Sequence, residues 1–188
     1  MTARAPDMPD LPEARIAPPR HKAVRGDPFE DLFMTEYGRV VAIANRVLAD
    51  RDEAEDVAQE VFVDFHRLHR ADAPYAAPWL HRAAANTALN AVRSRTRRAR
   101  REAAYGALES PRTVDPAEEA EVSEDRRLVR VALARLPKKS ATVLALRYGG
   151  LSYAEVGQAL GVGVGSIGTL LRRAEAALRR EVERGTSR

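Results

Sequence analysis

Four consecutive residues, Ser152-Tyr153-Ala154-Glu155, constrain the fold of this chain more than any other stretch. They spell a capping box, in which the serine hydroxyl accepts from the backbone N–H of the glutamate and the carboxylate reaches back to the cap. A short helix with Val156 and Leu160 facing the core starts there, and Gly161 stands where a helix end wants left-handed backbone, so the helix stops after about two turns. Beyond a tight turn, Ile167, Leu171, Ala174 and Leu178 recur as one apolar stripe, while Ser166, Thr169, Arg172, Arg173, Arg179 and Arg180 fall elsewhere on the same helix. Short helix, glycine turn and long helix with an arginine-rich outer face is the arrangement that carries a second helix into a DNA major groove. The bland alternative is a helical hairpin with a solvated basic face.

The rest of the chain is also helical in pattern. Phe29, Leu32, Phe33, Val40, Val41, Ile43, Ala44 and Val47 predict an amphipathic helix from about Pro28 to Leu48, with Pro28 suited to its first turn. Val57, Val61, Phe65 and Leu68, widened by Ala58 and Phe62, predict a second from about Asp52 to Leu68, whose opposite face carries Glu53, Asp56, Gln59, Glu60 and Asp64. After a loop marked by Pro74 and Pro78, a third helix opens with Trp79 and Leu80 and runs into Arg93, Arg95, Arg97, Arg98, Arg100 and Arg101. Leu128, Val131, Ala132 and Leu136 precede a break at Pro137, and Val143, Leu144, Leu146 and Tyr148 lead to the Gly149-Gly150 turn. Aromatics are only 5% of the 188 residues while Ala, Leu, Arg and Glu recur, so the expected fold is all-α.

Composition divides the chain. Pro6, Pro9, Pro12, Pro18 and Pro19 with little apolar periodicity make residues 1–26 a disordered tail. Gly106, Pro111, Pro116 and the acidic Glu118, Glu119 and Glu121 make residues 102–123 a flexible linker between helical domains at 27–101 and 124–184. The chain has no cysteine, which excludes disulfides, thiolate zinc sites and thiol nucleophiles. No apolar run approaches the roughly 20 residues that span a bilayer, and no signal peptide is visible, so a cytoplasmic protein is expected. The net charge of +4 is mild, but acids and arginines are strongly segregated along the chain.

Taken together, Asp52-Glu53-Ala54-Glu55-Asp56-Val57-Ala58-Gln59-Glu60-Val61-Phe62, the Trp79-Leu80 helix with Asn86-Thr87-Ala88-Leu89-Asn90, and Leu136-Pro137 followed by Leu151-Ser152-Tyr153-Ala154-Glu155-Val156 resemble an extracytoplasmic-function (ECF) sigma factor of the sigma-70 family. The resemblance covers roughly Asp27 to Arg180. It implies a region 2 domain at 27–101 that docks on core RNA polymerase and recognises the minus-10 element, and a region 4 helix-turn-helix at 124–184 for the minus-35 element. The implied function is promoter recognition, strand opening and transcription initiation. The implied partners are core polymerase, through the largest-subunit clamp helices and the flap, and promoter DNA, with an anti-sigma protein as a further candidate.

By the same resemblance, Asp52, Glu55, Asp56, Gln59 and Glu60 form the face that docks on the clamp helices. Carboxylates on one helix face suit a basic coiled coil and steer the encounter. The minus-10 candidates are Tyr75 for stacking, Asn86 and Asn90 for hydrogen bonding to an exposed base, and Arg93, Arg97 and Arg98 for phosphates. Trp79 reads as a core anchor rather than a stacking wedge. The minus-35 candidates are Ser166, Thr169, Arg172 and Arg173. Gly168 and Leu170 stand where family members often carry basic residues; a lost bidentate arginine removes about 1–3 kcal/mol of base discrimination, and an exposed Leu170 suits a protein partner instead. The loop from about Ala71 to Pro78 is shorter than is usual in the family and lacks its Phe-Arg-Gly-like stretch.

Two other function classes fare worse. A metalloenzyme built on Asp52, Glu55, Asp56 and Glu60 lacks the Glu-x-x-His pairs that di-iron bundles place on several helices, and His66 and His69 have no third ligand nearby. No nucleophile-base-acid arrangement stands out, so no enzyme and no cofactor are expected. A stand-alone helix-turn-helix regulator needs a dimer interface or effector pocket and has no use for an acidic docking helix.

Overall fold

The computed structural model describes residues 27–104 and 119–186; the expected N-terminal tail and the middle of the expected linker lie outside the described residues. Seven helices and no strand occur among the described residues: α1 (Pro28–Leu48), α2 (Arg51–Leu68), α3 (Ala76–Ala104), α4 (Glu119–Arg135), α5 (Lys138–Tyr148), α6 (Tyr153–Leu160) and α7 (Val164–Thr186). α3 runs past residue 102 and α4 begins before 123, so both ends of the stretch read as linker are helical. An acidic run complements the positive end of a helix dipole as readily as it solvates a linker, which is why composition alone misplaced that boundary.

The first part is a three-helix bundle. Asp27 caps α1 by accepting from the Phe29 N–H at 3.0 Å, with Pro28 in the first turn and Glu30 and Asp31 behind it. Ala49 ends α1 in left-handed backbone (φ 53°), and Asp50 at once caps α2 by accepting from the Glu53 N–H at 3.0 Å. That two-residue connection makes α1 and α2 neighbours, so their stripes Val40, Ile43, Ala44 and Val47 and Val57, Val61 and Phe65 bury against Leu80, Ala84, Ala88 and Leu89 of α3. Each fully buried Leu or Phe contributes about 1.5–3 kcal/mol. Trp79 is half-buried in a ring cluster with Phe65 (centroids 5.4 Å) and His69 (4.6 Å), as suits a core anchor. A buried His81–Glu36 contact of 2.7 Å ties α3 to α1.

The second part follows its sequence pattern closely. Ser152 and Glu155 make the reciprocal capping box, Gly161 has φ 66° and ψ 38°, and α6 meets α7 at 91°. Ile167, Leu171 and Ala174 are buried and Leu178 is half-buried. The two parts share one continuous apolar core, with α5 and α6 lying on α3 and α5 on α1. Gly149 permits the closest approach: a Cβ there would stand 2.9 Å from the Cα of Ile43. No single helix among the described residues is long and apolar enough to cross a membrane.

Candidate polymerase and nucleic-acid interfaces

On α2 the core-facing residues and the acids divide by helical period. Asp52, Asp56, Gln59 and Glu60 are exposed on the face opposite Ala54, Val57, Val61 and Phe65. Glu55 is half-buried and pairs with Arg51 at 2.9 Å, and Glu53 at the edge of this face pairs with Arg95 of α3. The result is an open carboxylate-bearing surface whose flank is already braced by arginines. Such a surface offers acceptors to a basic partner without first having to break an internal core contact.

α3 carries a second face. Asn86, Asn90, Arg93 and Arg97 recur at i, i+4, i+7 and i+11 and so line one stripe, away from the buried Ala84, Ala88 and Val92. Asn90, Arg97 and Arg98 are exposed, and Tyr75, just before the helix, is half in solvent and meets His69 edge-on at 5.8 Å. Asn86 and Arg93 are engaged instead. The Asn86 carboxamide oxygen accepts from the Thr142 hydroxyl at 3.2 Å, and Arg93 donates to the carbonyls of Ala134 (3.3 Å) and Leu136 (3.1 Å) at the end of α4.

α7 carries the third face. Ser166, Thr169, Arg172 and Arg173 are exposed on the side opposite Ile167, Leu171 and Ala174, and the 91° bend after α6 projects that side outward. Gly168 turns towards Tyr153 of α6, whose ring atom would lie 3.8 Å from a Cβ at that position. Leu170 is half-buried and packs against the core, which corrects the expectation that it is exposed: its position on α7 lies beside the apolar stripe rather than among the polar residues. His66 packs on Phe29 at 4.5 Å and His69 is spent among Phe65, Tyr75 and Trp79.

Periodicity could not show the residues that join the two parts. Arg39 pairs with Glu155 at 2.7 Å, Arg130 donates to the Leu48 carbonyl at 2.8 Å, and the Arg46 guanidinium lies over the Tyr148 ring at 5.6 Å. The Glu155 carboxyl is thereby held far below the usual carboxylate range, at about 2, first by the Ser152 hydroxyl and backbone N–H and then by Arg39. Each of these side chains sits on a helix whose own pattern is satisfied, so nothing local in the sequence marks it.

A helical bundle with an acidic outer face, a following helix striped with amides and arginines, and a helix-turn-helix define a DNA-reading protein with a separate protein-docking surface. The family models for Sigma-70 region 2 and Sigma-70 region 4 match residues 32–98 and 126–178, on these two parts in this order. The chain is 33% identical to the ECF RNA polymerase sigma factor SigE of Mycolicibacterium smegmatis over 80% of its own length and 60% of that protein. It is also 33% identical to the ECF RNA polymerase sigma factor SigK of Mycobacterium ulcerans, over 81% of its length and 84% of the relative. The solved structure of CnrH in complex with the cytosolic domain of CnrY is similar at 21% identity and a TM-score of 0.49, covering 82% of this chain and 87% of that one. This chain belongs to the ECF sigma factors: it is an alternative sigma factor, a transcription initiation factor that binds core RNA polymerase and promoter DNA.

Proposed function

We propose that three faces, on α2, α3 and α7, divide the work of initiation. The face of Asp52, Glu55, Asp56, Gln59 and Glu60 docks on the clamp helices of the polymerase largest subunit. The α3 stripe of Asn86, Asn90, Arg93 and Arg97, with Tyr75 and Arg98 beside it, takes the unpaired minus-10 strand. Ser166, Thr169, Arg172 and Arg173 enter the major groove of the minus-35 element, while the second part also meets the polymerase flap. The residues from 27 to 101 and from 124 to 184 are the two domains that carry these tasks, working in the cytoplasm and without catalysis of their own.

The observation that carries this reading is the separation of charge. The exposed acids of α2 would be repelled by DNA, and they occupy a different helix from the arginines that would attract it. A surface of each sign on one small protein fits a bridge between a basic protein element and a nucleic acid. Asp56 is exposed on the open face of α2, so its reversal leaves the fold intact while placing a guanidinium against a basic partner. Asp56→Arg is therefore expected to weaken core polymerase binding by at least about tenfold, a cost of about 1.4 kcal/mol or more. Titration of labelled protein with core enzyme measures it, and equal affinities for the two proteins would move the docking surface elsewhere.

A further inference from the structure

Residues 6–14 are three copies of one triplet, Pro6-Asp7-Met8, Pro9-Asp10-Leu11 and Pro12-Glu13-Ala14, each a proline, an acid and an apolar residue. They carry three carboxylates and no cation, and neither promoter reading nor polymerase docking as described above uses them. The ring fixes φ at each proline, and the residue before a proline is pushed to extended backbone, so two positions in every triplet favour polyproline II. That conformation turns once in three residues, so this repeat sorts its prolines, its acids and its apolar side chains onto three separate faces. The folded part of the chain holds a complementary surface. A groove of about 1110 Å³ lies between α1, α4, α5 and α7, and its lining among the described residues includes five arginines against three acids. Val129 and Tyr148 of that lining stay 40% and 51% exposed above the buried Leu133 and Leu144. The Tyr148 ring is held in place, because its hydroxyl donates to Glu175 at 3.0 Å and the Arg46 guanidinium lies over it at 5.6 Å.

We propose that residues 6–14 dock in this groove as a polyproline II strand, with Met8 and Leu11 on its apolar floor beside Tyr148 and with Asp7, Asp10 and Glu13 along its arginine rim. Grooves that bind such strands present aromatic rings to them, and a strand already biased to its bound form loses little entropy on binding. The acids meet guanidiniums, and Val129 and Tyr148 gain the apolar cover that the folded part does not give them. Reach permits the contact. Residues 15–26 span up to about 40 Å when extended, whereas α1 covers about 23 Å from Asp27 to Ala42 at the edge of the groove. Attachment also lowers the affinity that is needed: a short tether sets an effective concentration of order 1 mM, so a contact with a Kd of about 1 mM is half-filled within the chain. A separate protein carrying the same weak motif has no such advantage, which makes this chain's own segment the occupant.

The test uses the full chain. The absence of native cysteines lets spin labels be placed at Ala5→Cys, just before the repeat, and at Ala176→Cys, exposed on α7 next to the groove-lining Glu175. Pulsed electron resonance on this labelled parent is expected to give one narrow distance. Asp7→Lys, Asp10→Lys and Glu13→Lys together should replace it with a broad distribution. So should Arg126→Glu with Arg179→Glu, two exposed arginines of the rim that are outside the DNA contacts proposed above. Combining all of these substitutions puts opposite charges back across the groove and should restore the narrow distance, with helix content by circular dichroism the same in every chain. A broad distribution in the parent, a narrow distance kept by either one-sided variant, or a broad distribution in the combined chain overturns the proposal. Dilution of the labelled parent with an excess of unlabelled chain should leave the narrow distance unchanged; its loss would show docking between copies and overturn the assignment to a chain's own segment.

Discussion

Glu155 does three jobs with one carboxylate. It accepts from the Ser152 backbone N–H at 2.8 Å and from the Ser152 hydroxyl at 2.7 Å, and it holds Arg39 across the boundary between the parts. Because its folded titration point is depressed to about 2, its contribution to stability is complete above the ordinary glutamate value near 4.5 and is lost as pH falls from there towards 2. Ser152→Ala removes the largest cause of that depression. It is expected to lower stability by about 1 kcal/mol at pH 7, with the difference from the parent shrinking as pH falls through this window. Urea unfolding at a series of pH values measures both; a difference that stays constant down to pH 2 would contradict the assignment. The cap itself was legible because its four residues are adjacent in sequence. The link to Arg39 was not, since 116 residues separate the partners and only the packing of α6 near α1 brings them together.

At the scale of elements, the sequence pattern located α1 to the residue and α2 to within one, because the apolar stripes run the length of both helices and Pro28 marks the start of the first. It failed where one signal had two physical meanings. The acids from Glu118 onward solvate a linker and also suit a helix start, and α4 begins at Glu119. Leu170 read as exposed because relatives of the family often carry a basic residue there, yet it lies close enough to the Ile167 and Ala174 side of α7 to pack inward. The candidate faces of α2, α3 and α7 could all be traced from periodicity, but the engagement of Asn86 and Arg93 by the second part depends on tertiary placement that no local pattern encodes. α3 and α7 also differ in what they are expected to read. Arg97→Ala on α3 should weaken polymerase-bound DNA binding alike for all sequences, and should reduce the slope of log affinity against log salt by about 0.7–0.9. Arg172→Ala on α7 should cost about 1–3 kcal/mol on promoters with an intact minus-35 element and little on those without one. Fluorescence anisotropy on matched promoter fragments over a salt series separates the two; equal losses on both fragment sets for Arg172→Ala would remove it from base reading.

At the scale of the molecule, the chain has two apolar cores that merge into one, joined at a glycine, Gly149, that lies against α1. The boundary between the parts combines buried apolar packing with arginine-mediated contacts at its edges. The acidic face of α2 points away from this shared core and is left open to solvent.

As a sigma factor, this chain confers promoter choice on a polymerase that lacks it. Core RNA polymerase, free of other sigma factors, should be incubated with the purified protein and a library of genomic fragments, and the transcript 5′ ends mapped. Start sites are expected that depend on the added protein and share one upstream and one downstream sequence element, with the starts lost when Asp56→Arg replaces the parent. Transcripts that are the same with and without the protein would contradict it.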